Sequence, residues 1–466
     1  MLYRVLVSAV LFSLFTPSTA VARQIRFALA KSTASGISHS VDVAIGDFNH
    51  DGNPDLAISS TFNQVAIFLG KGDGTFTGPT IYNLTFYVTG SVAVGDFNGD
   101  SKLDLAVVGG DTLGNGLAFL SGNGDGTFNS PVYFPTNLAG ASITAVADDF
   151  NHDHKLDLFV GGNGSSLVIL GDGKGNFENG QLEGVYGDGV AVADFNHDGN
   201  VDVASTQPYP NFNSTGVSVL LGNGDGTLQA PQAYSGMEEP FGIATGDFNG
   251  DKKSDLAVTD YLFNTIVILQ GNGDGTFTNM GQGFAGVNPG RVTVSDFNID
   301  GKADLAVSDY GGDGVSVLAG KGDSAFSFPV DLATGGGASD VVAVDLNHDG
   351  SPDLVVVNNI DETFSVLLNA AGTYVHLTSS PNPSPLGQTV TFRTRVRGSV
   401  ETSLIPGGTI VFKDGAKTLG SAALTNGTAS FTTSSLSQGT HSIVAIYSGD
   451  AKFNPSRSSF LLQTVK

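Results

Sequence analysis

The sequence predicts an all-β chain: a seven-bladed β-propeller followed by a β-sandwich. Three observations predict it. An Asp-x-Asn-x-Asp core with a further Asp at its ninth position recurs seven times, starting at Asp47, Asp96, Asp149, Asp194, Asp247, Asp296 and Asp345, in steps of 49, 53, 45, 53, 49 and 49 residues. Each recurrence is flanked by short extended apolar runs with no helical period. After residue 378 the pattern stops, and alternating runs of a different spacing take over.

The second repeat shows how one unit is built. Ser91–Gly95 alternates and leads into the loop Asp96–Asp104, after which Leu105–Val108 and Leu117–Leu120 form two more short apolar runs. Gly122–Phe128 is a tight glycine turn, and Phe128–Phe134 closes the unit. Four short strands per repeat of about 50 residues make one blade, and four-stranded units of this period point to a propeller rather than an open solenoid. The ends support closure. Arg26–Ala30 is placed like the last strand of a blade, whereas the seventh repeat runs out in the degenerate turn Leu367–Tyr374. An N-terminal strand completing the last blade would remove both open edges.

The loops carry the chemistry. Calcium takes oxygen ligands from alternate positions of a tight loop, with a main-chain carbonyl at position seven. Positions one, three, five and nine are Asp47, Asn49, Asp51 and Asp55 in the first loop, and Asp96, Asn98, Asp100 and Asp104 in the second. Asp149, Asn151, Asp153 and Asp157 follow, then Asp194, Asn196, Asp198 and Asp202. The last three sets are Asp247, Asn249, Asp251 and Asp255; Asp296, Asn298, Asp300 and Asp304; and Asp345, Asn347, Asp349 and Asp353. The position-seven carbonyls belong to Asn53, Lys102, Lys155, Asn200, Lys253, Lys302 and Ser351. Position six needs a sharp turn, supplied by Gly52, Gly199, Gly301 and Gly350; Ser101, His154 and Lys252 break that rule, so weaker binding is expected in the second, third and fifth loops. Position twelve holds Ile58, Val107, Val160, Ser205, Val258, Val307 and Val356, never the bidentate Glu of a helix-loop-helix site. A metal-free Asx-rich turn is the competing reading.

Up to seven structural Ca²⁺ ions are therefore expected. They would offset 14 charges in a chain of net charge −24, whose loops hold 21 of its 45 acidic residues. At a tenfold excess of ion over Kd each site adds about 1.4 kcal/mol, roughly 10 kcal/mol for seven, comparable to the stability of a whole domain.

Phrases such as Asp47–Ala57 followed by Gly70–Phe76 resemble the FG-GAP/VCBS repeat family, best known from the propellers of integrin α subunits. The resemblance spans residues 24–374 and implies calcium in the loops and a role in adhesion or ligand binding. It leaves the ligand open, since the fold also occurs in lectins and beside enzymes.

Residues 375–385, with three prolines from Pro381, read as a stiff linker, and 386–466 as a β-sandwich with turns such as Lys413-Asp414-Gly415 between alternating runs. The stretch around Tyr447–Asp450 and Phe453 resembles a bacterial Ig-like domain of the Big_3 type, which implies a fold and a spacer or adhesive role.

Residues 1–22 read as an export signal: Arg4, the apolar run Val5–Phe15 and the small residues Ala20-Val21-Ala22. A short anchor or a buried strand competes with that reading. A secreted or cell-surface protein with no membrane span in the mature chain is expected. Zero cysteines leave packing and metal to hold it together. No basic patch suits a nucleic acid. A monomer binding an extracellular protein or carbohydrate is expected.

On the end opposite the loops, Tyr209, Phe212, Tyr261, Phe263 and Tyr310 suit stacking on sugars or anchoring of a peptide, or else plug the blades. Phe48, Phe97, Phe150, Phe195, Phe248 and Phe297 are expected in the core. No Gly-x-Ser-x-Gly or His-Glu-x-x-His motif occurs, and four of eight histidines (His50, His152, His197, His348) occupy loop position four, expected to point outward. The reading is a binding protein without enzymatic activity; a lectin-like propeller and a secreted hydrolase or lyase are the alternatives.

Overall fold

The computed structural model describes residues 25–466 except 26, 29–30, 87, 112–113, 137, 139–141, 163, 208–215, 370–372, 399–404, 451 and 454–455. The expected export segment lies outside the described residues. No helix occurs among them.

Seven four-stranded antiparallel sheets make the blades. In the first, Ser40–Gly46, Asp55–Ser60, Gln64–Gly70 and Phe76–Asn83 pair in chain order. The second and third strands are buried almost throughout and the fourth is largely exposed. Blades stack face to face, so both faces of a middle strand are covered. This is why Leu56-Ala57-Ile58 and its equivalents read as continuous apolar runs. The cores accordingly lie between blades: Phe48, Ala57, Val65 and Ile67 of the first blade pack against Leu105, Val107, Leu120 and Phe128 of the second.

The first strands line a central channel. Each touches the next around the ring, and Ala338–Val344 of the seventh blade touches Ser40–Gly46 of the first. Closure uses the N-terminal segment, as expected, but five residues later than read. The strand is Lys31–Ala34, paired antiparallel to Thr363–Val366 as the outermost strand of the seventh blade. Phe27 instead fills the place of a turn phenylalanine, its ring 5.8 Å from that of Phe297, while Ala28 N donates to Leu368 O. The pairing strand begins four residues after Phe27, as Val132 follows Phe128.

The segment expected as a linker, 375–385, is part of the sandwich. Thr373–Ser380 pairs with Val390–Gly398, burying Val375 and Leu377 between exposed neighbours. The proline run after it docks too, with Ser384 N bonded to Thr464 O and Lys466 N to Ser384 O. The prolines had masked a period-two alternation that ends before the first of them. One sheet holds these two strands and Thr428–Thr433. The other is built on Thr409–Asp414 and Gly439–Tyr447, and Phe392, Phe412, Ile443, Tyr447 and Phe453 fill the space between.

Candidate metal loops and the channel mouth

All seven acidic loops join the first and second strands of their blades, and the Gly-x-Gly turns join third to fourth, so both emerge at one end of the ring. The position-nine Asp opens the second strand and is 0% exposed in every blade. One carboxylate oxygen accepts the N–H of loop position two, from Phe48 to Leu346, at 2.8–3.1 Å. The other accepts the N–H of the residue opening the turn, from Gly70 to Asn369, at 2.7–2.8 Å. Burial pushes these carboxyls up, to about 6 for Asp55, Asp104, Asp157, Asp202 and Asp304 and about 7 for Asp353, with the acids at positions one and five adding to the effect.

Positions one, three and five fold the loop around their own oxygens. Asp47 accepts the N–H groups of Asp51 and Gly52, Asn49 Oδ1 that of Asp51, and Asp51 that of Asn53. The other loops repeat most of this set. Position six is left-handed in all seven, with φ of 65° at Ser101, 63° at His154 and 67° at Lys252 where glycine is missing. In the second and third loops the position-seven lysine also pairs with the position-five acid, Lys102–Asp100 at 3.6 Å and Lys155–Asp153 at 2.8 Å.

The donor set suits a hard divalent cation, and two oxygens favour one. Asn298 Oδ1 in the sixth loop and Asp349 Oδ2 in the seventh are buried without a hydrogen-bond partner, a costly arrangement that a cation would relieve. Among the described residues no three His, Cys, Asp or Glu side chains converge as a ready-made metal group. An ion here would depend on the Asn oxygen and the position-seven carbonyl as well as the acids.

The position-four histidines do not simply face solvent. His348 Nε2 lies 3.0 Å from Asn53 Oδ1 of the next blade and His152 Nε2 2.9 Å from Asn200 Oδ1. A Cβ on Gly124 would come within 3.3 Å of the His50 ring, and one on Gly273 within 3.3 Å of His197, so each imidazole lies over the following blade's glycine turn. The main chain makes the same step: Gly126 N donates to Phe48 O, Gly175 to Phe97 and Gly226 to Phe150. The blade-to-blade role of position four was invisible in a single repeat. The phenylalanines at position two are buried, as expected, and Phe48 meets Phe128 edge-on at 5.3 Å.

At the opposite end the channel opens into a cavity of about 710 Å³. Of the aromatics singled out, Tyr261 and Tyr310 line it; Phe263 is 53% exposed on the outer side of its turn, and Tyr209 and Phe212 lie outside the described residues. Sequence reading missed Asp42, Asp188, Glu239, Phe241 and Arg291. A signal existed. The fifth residue ahead of each loop's first Asp is Asp42, Ser91, Thr144, Gly189, Gly242, Arg291 and Asp340, six in the inner strands and Gly189 directly before one, and so one ring around the channel. Asp340 Oδ2 accepts Val43 N, and Asp42 Oδ2 accepts Val92 N, so each acid fastens its strand to the next blade. Burial raises both carboxyls while Arg291 opposes the rise. Arg291 crosses the channel over the space left by the glycines, its guanidinium 5.2 Å from the Phe241 ring centre and Nη2 3.4 Å from Thr144 Oγ1.

A seven-bladed propeller with acidic hairpin loops at one end, followed by an Ig-like sandwich, is the architecture of a binding module. The chain belongs to the FG-GAP-like repeat family, whose model matches residues 47–107, 96–160, 149–205, 194–258, 247–307 and 296–356. Residues 377–466 match the bacterial Ig-like domain (group 3). Among solved structures, BBS1N in complex with ARL6DN, soaked with mercury, aligns with a TM-score of 0.53 at 12% identity over 74% of this chain and 97% of that one. The same complex soaked with lead gives 0.50 at 12% identity over the same shares. An Agrocybe aegerita lectin specific for non-reducing terminal N-acetylglucosamine gives 0.45 at 16% identity over 80% and 93%. These likenesses concern the fold. A search of curated proteins gives no match. No helix among the described residues is long and apolar enough to cross a membrane.

Proposed function

We propose that the chain is a secreted, calcium-stabilised binding or adhesion module that receives its ligand at the channel mouth and acts without catalysing a reaction. The observation that carries the calcium reading is Asp349 Oδ2, a buried carboxylate oxygen with no donor, inside a loop whose acid pattern recurs seven times. The side chains at positions one, three, five and nine and the position-seven carbonyl would hold the ion. Bound calcium supplies positive charge where the loop has gathered three carboxylates. The Asp–Phe–turn connections would then carry that local order to the neighbouring blade. Export is supported by Arg4 and the apolar run Val5–Phe15.

The test is the melting temperature against calcium and EGTA, with bound ions counted by elemental analysis. A rise with calcium and several ions per chain are expected. An unchanged melting curve in EGTA, with no ion taken up on restoring calcium, refutes the calcium reading.

A further inference from the structure

We infer that the channel mouth binds a neutral saccharide, with one face of a sugar ring laid against the aromatic wall and its hydroxyls shared between Arg291 and the acids beside it. The inference rests on reading the mouth as the ligand-binding face and is independent of the calcium loops at the other end.

Three features of the cavity carry it. Phe241 and Tyr261, ring centres 6.4 Å apart and planes tilted by 48°, form with Tyr310 an aromatic side of the cavity along the fifth and sixth blades, the Phe241 ring lying under the Arg291 guanidinium. The axial C–H face of a pyranose is apolar and flat enough to lie against such a surface. Next, Arg291 is under-used. A guanidinium has five donors, and here it makes one long bond to Thr144 Oγ1 and lies over Phe241; among the described residues no carboxylate oxygen is within ion-pair distance of it. Lastly, Asp188 and Glu239 line the same cavity as acceptors, close enough to Arg291 and to each other for their charges to interact.

A ligand must use donors and acceptors together. An amine would satisfy the acids but leave the guanidinium without an acceptor and stand close to a like charge. A carboxylate or phosphate would satisfy Arg291 and meet Asp188, Glu239 and Asp42. A hydroxyl donates and accepts at once, so a polyol ring can serve both kinds of group with no charge to bury. The volume, about 710 Å³, falls within the roughly 300–1,000 Å³ of small-ligand sites and leaves room for more than one sugar residue.

The full calcium-loaded chain is applied to an array of neutral oligosaccharides, and the strongest hit is measured by calorimetry. Binding is expected to fall about tenfold or more in Tyr261→Ala, a half-buried residue at the mouth, and in Arg291→Met. Phe263→Ala, on the same turn as Tyr261 but outside the cavity, should bind as the parent does. Unchanged melting temperatures show that a lost affinity is local. If Arg291→Met fails to fold, Tyr261→Ala and Asp188→Asn decide. A blank array with folded protein overturns the inference, as does saccharide binding indifferent to Tyr261→Ala. Tight binding of a tri-lysine peptide or lysine ethyl ester that Tyr261→Ala abolishes, with saccharides refused, overturns the sugar while sparing the mouth as the binding face.

Discussion

Replacing Asp349 by Asn separates a calcium ligand from a turn residue, because the two roles predict different dependence on the ion. Asp349 is 3% exposed; its Oδ1 accepts Ser351 N at 2.8 Å, and its Oδ2 has no donor. Burial, together with Asp345, raises its carboxyl above the ordinary range, against hydrogen bonds from Ser351 and Asn347 that favour the charged form. In EGTA the charged oxygen, without a hydrogen bond of its own, is a burden of about 1–3 kcal/mol that the neighbouring Ser351 and Asn347 side chains only partly offset. An amide of the same shape removes the charge, keeps the bond to Ser351 and places an NH₂ beside Asp345. The variant should therefore be more stable than the parent in EGTA by about that amount. With calcium at a hundredfold excess over Kd, the parent gains about 2.7 kcal/mol from the seventh site, a gain the variant forgoes. Its advantage should vanish or turn into a deficit. Urea unfolding of both proteins in EGTA and in calcium gives the four free energies needed. A difference between parent and variant that is the same in both buffers refutes the reasoning, since a turn residue has no reason to respond to the ion.

Asp309 predicts a pH dependence away from the loops. Its Oδ2 accepts Ser316 Oγ at 2.6 Å and its Oδ1 has no partner; burial, with Asp331 adding, pushes the carboxyl to about 7. The native state then keeps a proton that the unfolded chain releases near pH 4, so this contribution is full below pH 4 and is lost as pH rises through about 7. Asp309→Asn should gain on the order of 4 kcal/mol at pH 8 and little at pH 4; parallel stability curves would contradict this. His154→Gly and Lys252→Gly relieve left-handed side-chain strain at φ of 63° and 67°, and each should stabilise by about 1 kcal/mol. The two loops lie in different blades, so the gains should add in thermal melts. Gly122→Ala should unfold the second blade because its Cβ would lie 2.1 Å from Leu103 O, whereas Gly52→Ala meets nothing within 4 Å and should lose only about 1 kcal/mol.

The ring was legible because its signals are local and repeated: loop, turn and apolar run recur at one spacing, and seven copies outweigh any ambiguity in one. What stayed hidden depends on contacts between repeats. The position-four imidazoles look like surface residues within their own hairpins; only the neighbouring blade's glycine turn shows why a side chain lies there. The channel residues were hidden for the opposite reason. Arg291 and Asp42 occupy equivalent positions 249 residues apart, and nothing along the chain marks them as neighbours around an axis. The strand Thr373–Ser380 is hard to read in the sequence because Pro381 and Pro383 follow directly on the short alternation of Tyr374, Val375, His376 and Leu377.

The pairing of Ser32 with Ser365, their hydroxyls 2.8 Å apart across 333 residues of chain, sets an order of events during synthesis. Earlier blades can form as they leave the ribosome, each from contiguous sequence. The first strand must wait unpaired until the last blade emerges, while the growing arc presents a bare edge at either end. Sealing that gap is the step most exposed to capture by another nascent copy, so a chaperone or dilute surroundings would do most for the yield of native protein at that moment.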